Sequence, residues 1–202
     1  MGFSFEAFLY QLLIDPILSN LHKSILTNIK SSDRVLDVAC GTGSLSMAIA
    51  EKAEYVKGID LSEPMIRTAI KSADRRGVKN VDFTLHDANE LAVFKDHEFE
   101  IAVTSMAIHQ FDAELAIRIL SEMKRIASKI IIIDYNYPLP EGFSGSVAKG
   151  IEKLAGGDHY RNFTTYMRSG GIEYFTGRSG LEIKSQVLKG RGIFVISVCS
   201  SI

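Results

Sequence analysis

The chain has 202 residues, with 23 Lys and Arg residues against 24 Asp and Glu residues, and a formal net charge of −1. Hydrophobic residues make up 46% of it, which is the composition of one ordinary globular domain. The near-zero charge gives no electrostatic basis for gripping a phosphate backbone non-specifically, and the 2 cysteines are too few for a disulfide scaffold.

The apolar N-terminal segment, residues 1–30, is predicted to form a helical cap that is broken at Pro16. It lacks a basic region and carries Glu6 and Asp15, so a secretory signal is disfavoured. The longest aliphatic run, Ile130 to Ile133, is far shorter than the roughly 20 residues that a membrane span needs. We therefore expect a soluble, cytoplasmic protein without a membrane span.

Strands and helices are predicted to alternate through residues 31–135. Apolar runs predict strands over 34–39, 55–60, 81–85, 99–105 and 129–135, and amphipathic stretches predict helices between most of them. A short loop or helix is expected over 89–94. This alternation is typical of right-handed βαβ units and a mostly parallel sheet covered on both faces.

The C-terminal third breaks the alternation. Residues 136–180 contain Pro138, Pro140 and many glycines, and are too long for a bare connection, so a helical insertion or lid is predicted there. Two further strands, 181–188 and 193–200, are separated by a short Gly-bearing turn and must pair antiparallel. The predicted fold class is therefore α/β: a Rossmann-like, doubly wound, mostly parallel seven-stranded sheet with a C-terminal antiparallel hairpin. We expect one domain, 1–202, made of the cap (1–30), a core (31–135), the insertion (136–180) and the closing hairpin (181–202).

The sequence VLDVACGTG ends the first predicted strand and suggests a ligand site. Gly41 and Gly43 let the backbone turn sharply and approach a ligand, although a tight strand-to-helix turn alone explains them too. Asp60, at the end of the second strand, is placed to accept hydrogen bonds from ribose hydroxyls, unless it is merely an acid before a helix. Asp87 follows the third strand and is placed to accept from an adenine amine, unless it is an ordinary loop acid.

Two residues indicate which nucleoside cofactor this loop binds. A dinucleotide fingerprint needs a third glycine where this chain has Ser46. Asp37, inside the first strand, would repel a pyrophosphate but suits a cationic group. S-adenosylmethionine, with its ammonium, sulfonium and adenosine, fits both observations.

Four segments together resemble the successive motifs of class I S-adenosylmethionine-dependent methyltransferases: VLDVACGTG, GID at 58–60, HDA at 86–88 and FEIAVTSMAIHQF at 99–111. The similarity is closest to the small-molecule branch typified by the ubiquinone/menaquinone-biosynthesis methyltransferases, whose last strand also inserts antiparallel. The resemblance implies S-adenosyl-L-methionine as cofactor, with contacts at Asp37, Ala39, Gly41, Gly43, Asp60, Leu61, Asp87, Ala88, Thr104, Ser105 and Met106.

Methyl transfer from a sulfonium is an in-line displacement that alignment alone can catalyse, so few catalytic residues are expected. His109 is the candidate general base because it follows the fourth strand, although a role at the start of a helix is equally compatible. No cluster in the sequence has metal-ligand spacing, so no metal is expected. For the acceptor we predict contacts at Tyr10, His159, Tyr160 and Tyr166, while noting that Tyr166 also fits the buried stripe of a helix and His159 an exposed loop.

The leading hypothesis is therefore a methyltransferase acting on an oxygen, nitrogen or carbon of a small, partly apolar metabolite. A nicotinamide-dependent oxidoreductase and a non-catalytic, methyltransferase-like binding or scaffold subunit remain as alternatives. We expect a small-molecule substrate and no nucleic-acid partner, because a polymer substrate usually requires a basic face or an added recognition domain. Nothing in the sequence indicates an oligomeric state.

Overall fold

A computed structural model describes residues 21–201, except for the side chains at 143, 144, 147 and 155. Most of the predicted N-terminal cap, including Tyr10, therefore lies outside the described residues. Its last part, residues 21–25, is helical and places Leu21 and Ile25 in the core.

Seven strands in the described part of the chain form a single sheet. They are β1 (Arg34–Val38), β2 (Tyr55–Asp60), β3 (Val81–Leu85), β4 (Phe99–Ser105), β5 (Ala127–Tyr135), β6 (Leu181–Lys189) and β7 (Phe194–Ser201). Their order is β3-β2-β1-β4-β5-β7-β6, with β1 to β5 parallel and β7 antiparallel to both neighbours. The predicted fold class, with its C-terminal antiparallel hairpin, is confirmed, and the structure places that hairpin beside β5.

Besides the helical residues 21–25, six α-helices accompany these strands within residues 21–201. They are α1 (Ser44–Ala50), α2 (Glu63–Arg76), α3 (Ala113–Ile126), α4 (Phe143–Ala155), α5 (Gly157–Ser169) and α6 (Ile172–Arg178). Short 3-10 helices lie at Leu26–Asn28, Ala88–Val93, Ile108–Gln110 and Gly190–Gly192. The insertion predicted over 136–180 thus contains α4, α5 and α6.

Burial explains why the central strands have such apolar sequences. Ile130, Ile131, Ile132 and Ile133 of β5 are all fully buried, because parallel strands in a doubly wound sheet are covered by helices on both faces. The edge strand β6 is mostly exposed and shows the polar sequence expected there. Asp134, which ends the aliphatic run of β5, is an exception: a carboxylate with no exposed surface.

The connectivity determines where a ligand site can form. The chain moves outward from β1 through β2 to β3, then returns to β4 on the other side of β1, so the strand order reverses between β1 and β4. Ligands of open α/β sheets bind outside the carboxyl ends of the strands at such a point. Over residues 21–201, no helix combines the length and apolar character needed to cross a bilayer.

Candidate functional site

The loop between β1 and α1 has an unusual backbone at three positions. Ala39, Gly41 and Gly43 have φ values of 59°, 55° and 75°, all in the left-handed region. For Ala39 this conformation costs about 1–2 kcal/mol, and such strain clusters at ligand sites. The loop therefore holds a strained, defined shape at the carboxyl end of β1.

The two loop glycines are needed for different reasons. A Cβ on Gly43 would lie 2.5 Å from the ring of Phe83, so this glycine permits close packing within the protein. A Cβ on Gly41 would meet nothing within 4 Å, so this glycine faces open space. Of the two glycines, both predicted to contact the cofactor, Gly41 is therefore the one on the side from which a ligand can approach.

Asp37 is a buried acid with one unpaired oxygen. It is 1% exposed, and its Oδ2 accepts a 2.5 Å hydrogen bond from the Ser46 hydroxyl, while its Oδ1 has no hydrogen-bond partner among the described residues. Burial raises the pKa of Asp37 to about 7, the Asp60 carboxylate adds to the rise, and the Ser46 hydrogen bond opposes it. Leaving such an oxygen unpaired is costly, so the site is suited to a cationic or hydrogen-donating ligand.

The end of β4 presents further unpaired groups beside β1. Thr104 pairs in register with Val38, one residue beyond Asp37. The hydroxyls of Thr104 and Ser105 are buried and lack hydrogen-bond partners within residues 21–201. Met106, which follows, has a φ of 55°. The predicted residues of β1 and β4 are therefore brought together at the point where the strand order reverses.

Asp60 joins the second strand to the glycine loop. Its Oδ2 accepts a 2.8 Å hydrogen bond from the Gly41 amide, and its Oδ1 accepts one of 2.8 Å from the Ser62 amide. Each carboxylate oxygen has a second lone pair available for another donor. Leu61 beside it is 70% exposed. The sequence did not indicate that Asp60 also holds the loop in place.

Asp87 and Ala88 lie where β3 leads into the next 3-10 helix. The Oδ1 of Asp87 accepts a 2.8 Å hydrogen bond from the Asn89 amide and so caps that helix, while Ala88 packs against the main core. This local role is compatible with the predicted contact to adenine, which stays a prediction.

His109 lies in the 3-10 helix after β4 and is almost completely buried, with 1% exposed. Its Nδ1 is 2.6 Å from Oδ1 of Asp134, and its amide donates to Oδ2 of the same carboxylate at 3.2 Å. Burial lowers the pKa of His109, but Asp134, by its charge and hydrogen bond, and the charge of Glu152 outweigh burial and raise it. The Asp134 carboxylate thus orients the ring with Nε2 directed away from it.

Glu152 and His159 lie close to Nε2 of His109. Glu152 of α4 is 4% exposed, and its Oε1 lies 3.6 Å from that nitrogen and accepts a 2.7 Å hydrogen bond from the Tyr135 hydroxyl. His159 of α5 has its Nε2 2.6 Å from Oε2 of Glu152. Burial raises the pKa of Glu152, but the close approach of His159, the charge of His109 and the Tyr135 hydrogen bond outweigh burial and lower it.

The aromatic residues predicted to contact the acceptor differ in exposure. Tyr166 is 1% exposed, stacks on Phe175 and donates its hydroxyl to the Tyr135 carbonyl at 2.8 Å, which favours the buried-stripe interpretation. Tyr160 is 37% exposed. Their roles in substrate binding, like that of Tyr10 outside the described residues, stay predictions.

Both cysteines are buried and unreactive in character. Burial, with a contribution from Asp37, raises the pKa of Cys40 well above its usual value. Burial also raises the pKa of Cys199 to about 12. Neither thiol has the exposed, electropositive surroundings of a nucleophile.

The antiparallel seventh strand and the unpaired polar groups at the carboxyl ends of β1 and β4 agree with the S-adenosylmethionine-dependent methyltransferase class that the sequence resembles. A family model described as "Methyltransferase domain" matches residues 29–171. The chain therefore belongs to the methyltransferase-domain family, which confirms the resemblance drawn from its sequence.

Two curated relatives show the extent of the similarity. An uncharacterized methyltransferase YcgJ of Bacillus subtilis is 28% identical over 110 residues, covering 54% of this chain and 43% of the relative. A demethylmenaquinone methyltransferase of Bacillus velezensis is 27% identical over 124 residues, covering 58% of this chain and 52% of the relative. The chain thus spans about half the length of these curated relatives.

Solved structures match nearly the whole chain. The crystal structure of an S-adenosylmethionine-dependent methyltransferase from Aquifex aeolicus superposes with a TM-score of 0.67 at 20% identity, covering 98% of this chain and 100% of the other. The PH0226 protein from Pyrococcus horikoshii gives a TM-score of 0.71 at 20% identity, covering 93% and 90%. At this level of identity the match establishes the fold.

Proposed function

We propose that this protein transfers a methyl group from S-adenosylmethionine to a small, partly apolar molecule. The observation that carries the proposal is the set of unpaired buried oxygens on two adjacent strands, Oδ1 of Asp37 and Oγ of Thr104, where the strand order reverses. Membership of the methyltransferase-domain family supports the same conclusion.

The residues at this edge fit the cofactor. Asp37 offers an unpaired carboxylate oxygen to a cationic group, and the open side of Gly41 leaves room for close approach of a ligand to the backbone. Asp60 keeps lone pairs for ribose hydroxyls even while it accepts from Gly41 and Ser62. When bound, S-adenosylmethionine supplies an electrophilic methyl group on a sulfonium with a neutral leaving group.

The protein's contribution to the reaction would be alignment and exclusion of water. Holding two reactants in line supplies on the order of 7–11 kcal/mol of the barrier, so no general base is required for an acceptor that is already nucleophilic. His109 and Asp134 would act as a base only for an acceptor that must lose a proton. That role of His109 stays a prediction.

We place the acceptor between the insertion at 136–180 and the carboxyl edge of the sheet. Helices α4 and α5 of the insertion bring Glu152 and His159 to the ends of β4 and β5, where His109 and Asp134 lie. The aromatic rings of Tyr135 and Phe163 lie beside His109, which suits a partly apolar substrate. The relative named demethylmenaquinone methyltransferase is consistent with an acceptor of this type.

A ligand titration tests the proposal and separates it from the oxidoreductase alternative. Isothermal titration calorimetry with S-adenosylhomocysteine and, separately, with NADH is expected to show binding of the first and none of the second. Binding of NADH, or binding of neither ligand, would refute the proposal. Binding of S-adenosylhomocysteine without methyl transfer to any fraction of a metabolite extract would favour the scaffold alternative.

A further inference from the structure

His109, Glu152 and His159 form a cluster that methyl transfer by alignment does not use. Their nearest ligand-type atoms, two imidazole nitrogens and one carboxylate oxygen, all lie within 4.8 Å of one another. They come from three segments of the chain: the 3-10 helix after β4, α4 and α5. We propose that these three side chains bind a divalent transition-metal ion, with Zn²⁺ as the cation that fits best.

The first observation behind this proposal is that the would-be ligand atoms are unsatisfied. Nε2 of His109, Oε2 of Glu152 and Nε2 of His159 are each buried and lack a hydrogen bond of acceptable geometry within residues 21–201. Nε2 of His159 and Oε2 of Glu152 are 2.6 Å apart, which is an ion-pair distance, but their relative orientation does not allow a hydrogen bond. His109 and Glu152 are 1% and 4% exposed, so water cannot easily satisfy them. A cation between the three atoms satisfies all of them.

The second observation is that the surrounding groups already hold two of the ligands as metal sites do. A histidine bound to zinc donates its other ring N–H to a carboxylate, and Asp134 lies 2.6 Å from Nδ1 of His109. A ligating carboxylate is itself hydrogen-bonded, and the Tyr135 hydroxyl donates to Glu152 at 2.7 Å. Asp134 therefore directs the lone pair of Nε2 toward Glu152 and His159.

The distances require only a small adjustment on binding. Tetrahedral ligands about 2.0–2.1 Å from zinc lie roughly 3.3 Å from each other. Nε2 of His109 is 3.6 Å from Oε1 of Glu152, close to this value, whereas Nε2 of His159 is 2.6 Å from the other carboxylate oxygen, Oε2, and that separation must open by less than an ångström. His159 is the partly exposed member, with 32% of its side chain accessible, and it follows Gly156 and Gly157 at the start of α5. It is the ligand best placed to move.

The donor set selects the class of cation. Two imidazoles and one carboxylate suit Zn²⁺ and neighbouring first-row divalent ions, while Mg²⁺ and Ca²⁺ prefer oxygen ligands alone. Three protein ligands leave one tetrahedral position for water or another small oxygen ligand, which is the arrangement of an open rather than a purely structural site. The absence of any metal-ligand spacing in the sequence does not oppose this assignment, because the ligands come from three separate segments.

The direct test is metal binding by the full chain, with no substrate or cofactor present. After treatment with a chelator, the protein is titrated with Zn²⁺ in competition with a chromophoric chelator, and with Co²⁺ while visible absorption is recorded. We expect one Zn²⁺ per chain, a Co²⁺ spectrum of low coordination number and a rise in melting temperature with Zn²⁺. Mg²⁺ is expected to give none of these.

Variants make the test specific to this cluster. His159→Ala is expected to weaken Zn²⁺ binding at least about tenfold and to abolish the melting-temperature rise, and its partial exposure makes correct folding testable by circular dichroism. Glu152→Gln keeps an acceptor for Tyr135 and is expected to weaken binding similarly. His97→Ala, which removes an exposed histidine of a loop, is the matched control and is expected to bind as the parent does.

The proposal is overturned if the parent chain binds no Zn²⁺, or if His159→Ala binds it as tightly as the parent. Equal weakening in His97→Ala would also overturn it, because binding would then not depend on this cluster. None of these results depends on methyl transfer, so failure of the metal site and failure of the proposed function are distinguishable.

Discussion

Asp37 allows the cofactor assignment to be tested through pH. Its pKa of about 7 in the cofactor-free protein means that near neutral pH the carboxyl group is about half protonated. A cationic ligand beside Oδ1 favours the ionised form, so binding should release a proton and weaken as pH falls. Asp60 and the neutral thiol of Cys40 are the other titratable groups near this carboxylate, and Asp60 acts in the direction of raising its pKa.

The magnitude follows from that pKa. If the carboxylate must be ionised to bind, affinity for S-adenosylmethionine falls about fivefold from pH 7 to pH 6 and approaches about tenfold per unit below that. Calorimetry in buffers of different ionisation enthalpy measures both the affinity and the protons released. Adenosine, which lacks the cationic groups, is the control ligand and should show little pH dependence.

The Asp37→Asn variant separates this cause from others. It should bind S-adenosylmethionine more weakly at pH 7 and lose the pH dependence between pH 6 and pH 7. Equal affinity of the parent chain at both pH values, or an unchanged pH dependence in Asp37→Asn, would refute the reasoning.

The Asp37 carboxylate is expected to lower the free energy of unfolding of the cofactor-free protein. Its folded-state pKa of about 7 lies above the ordinary 3.8, so stability is greatest below the ordinary value and is lost as pH rises through about 7. Asp37→Asn should therefore raise the free energy of unfolding relative to the parent chain, and this increase should be about 2–3 kcal/mol larger at pH 8 than at pH 5. Urea denaturation at the two pH values measures it, and a gain that does not grow with pH would contradict the burial argument.

Four other substitutions give three separate tests. Asp60→Ala is expected to weaken S-adenosylmethionine binding at least about tenfold with the fold retained, because it removes a predicted ribose contact and the hydrogen bond to the Gly41 amide; unchanged affinity in calorimetry would remove Asp60 from the site. Gly43→Ala is expected to lower the free energy of unfolding by about 1–3 kcal/mol, because its Cβ meets the Phe83 ring. Gly41→Ala has open space around its Cβ and should lower the free energy of unfolding by less. Equal losses in urea denaturation would contradict the conclusion that Gly43 serves packing within the protein and Gly41 does not. His109→Ala is expected to slow turnover only of an acceptor that must lose a proton or bind the metal, and normal turnover of such an acceptor would exclude His109 from the reaction.

The order and type of the elements could be predicted because each strand of the parallel sheet carries a distinct apolar run. The antiparallel pairing of β6 with β7 followed from the short turn between them, since a parallel pair needs a long crossover, whereas the insertion of the last strand into the sheet was implied by the family resemblance. Asp37 and Asp60 could be singled out because an acid at the end of a buried strand has few structural reasons to be there.

Long-range contacts explain what the sequence did not reveal. The pairing of Asp134 with His109, and the approach of Glu152 to the same histidine, join segments that are far apart in the chain, so no spacing rule detects them. Asp134 left one indication, a carboxylate directly after four buried isoleucines. The hydrogen bond from Ser46 to Asp37 was likewise hidden, because the sequence alone shows Ser46 only as the residue that stands where a dinucleotide fingerprint has its third glycine.

The central claim is that the chain transfers a methyl group from S-adenosylmethionine to a small molecule. The most direct measurement incubates the protein with methyl-labelled S-adenosylmethionine and low-mass fractions of a metabolite extract, and follows both label incorporation and S-adenosylhomocysteine release. We predict labelled product and equimolar S-adenosylhomocysteine in at least one fraction with the parent chain, and, at a cofactor concentration that does not saturate the protein, about tenfold less of both with Asp60→Ala. No labelled small molecule in any fraction, or label appearing equally with Asp60→Ala, would contradict the account.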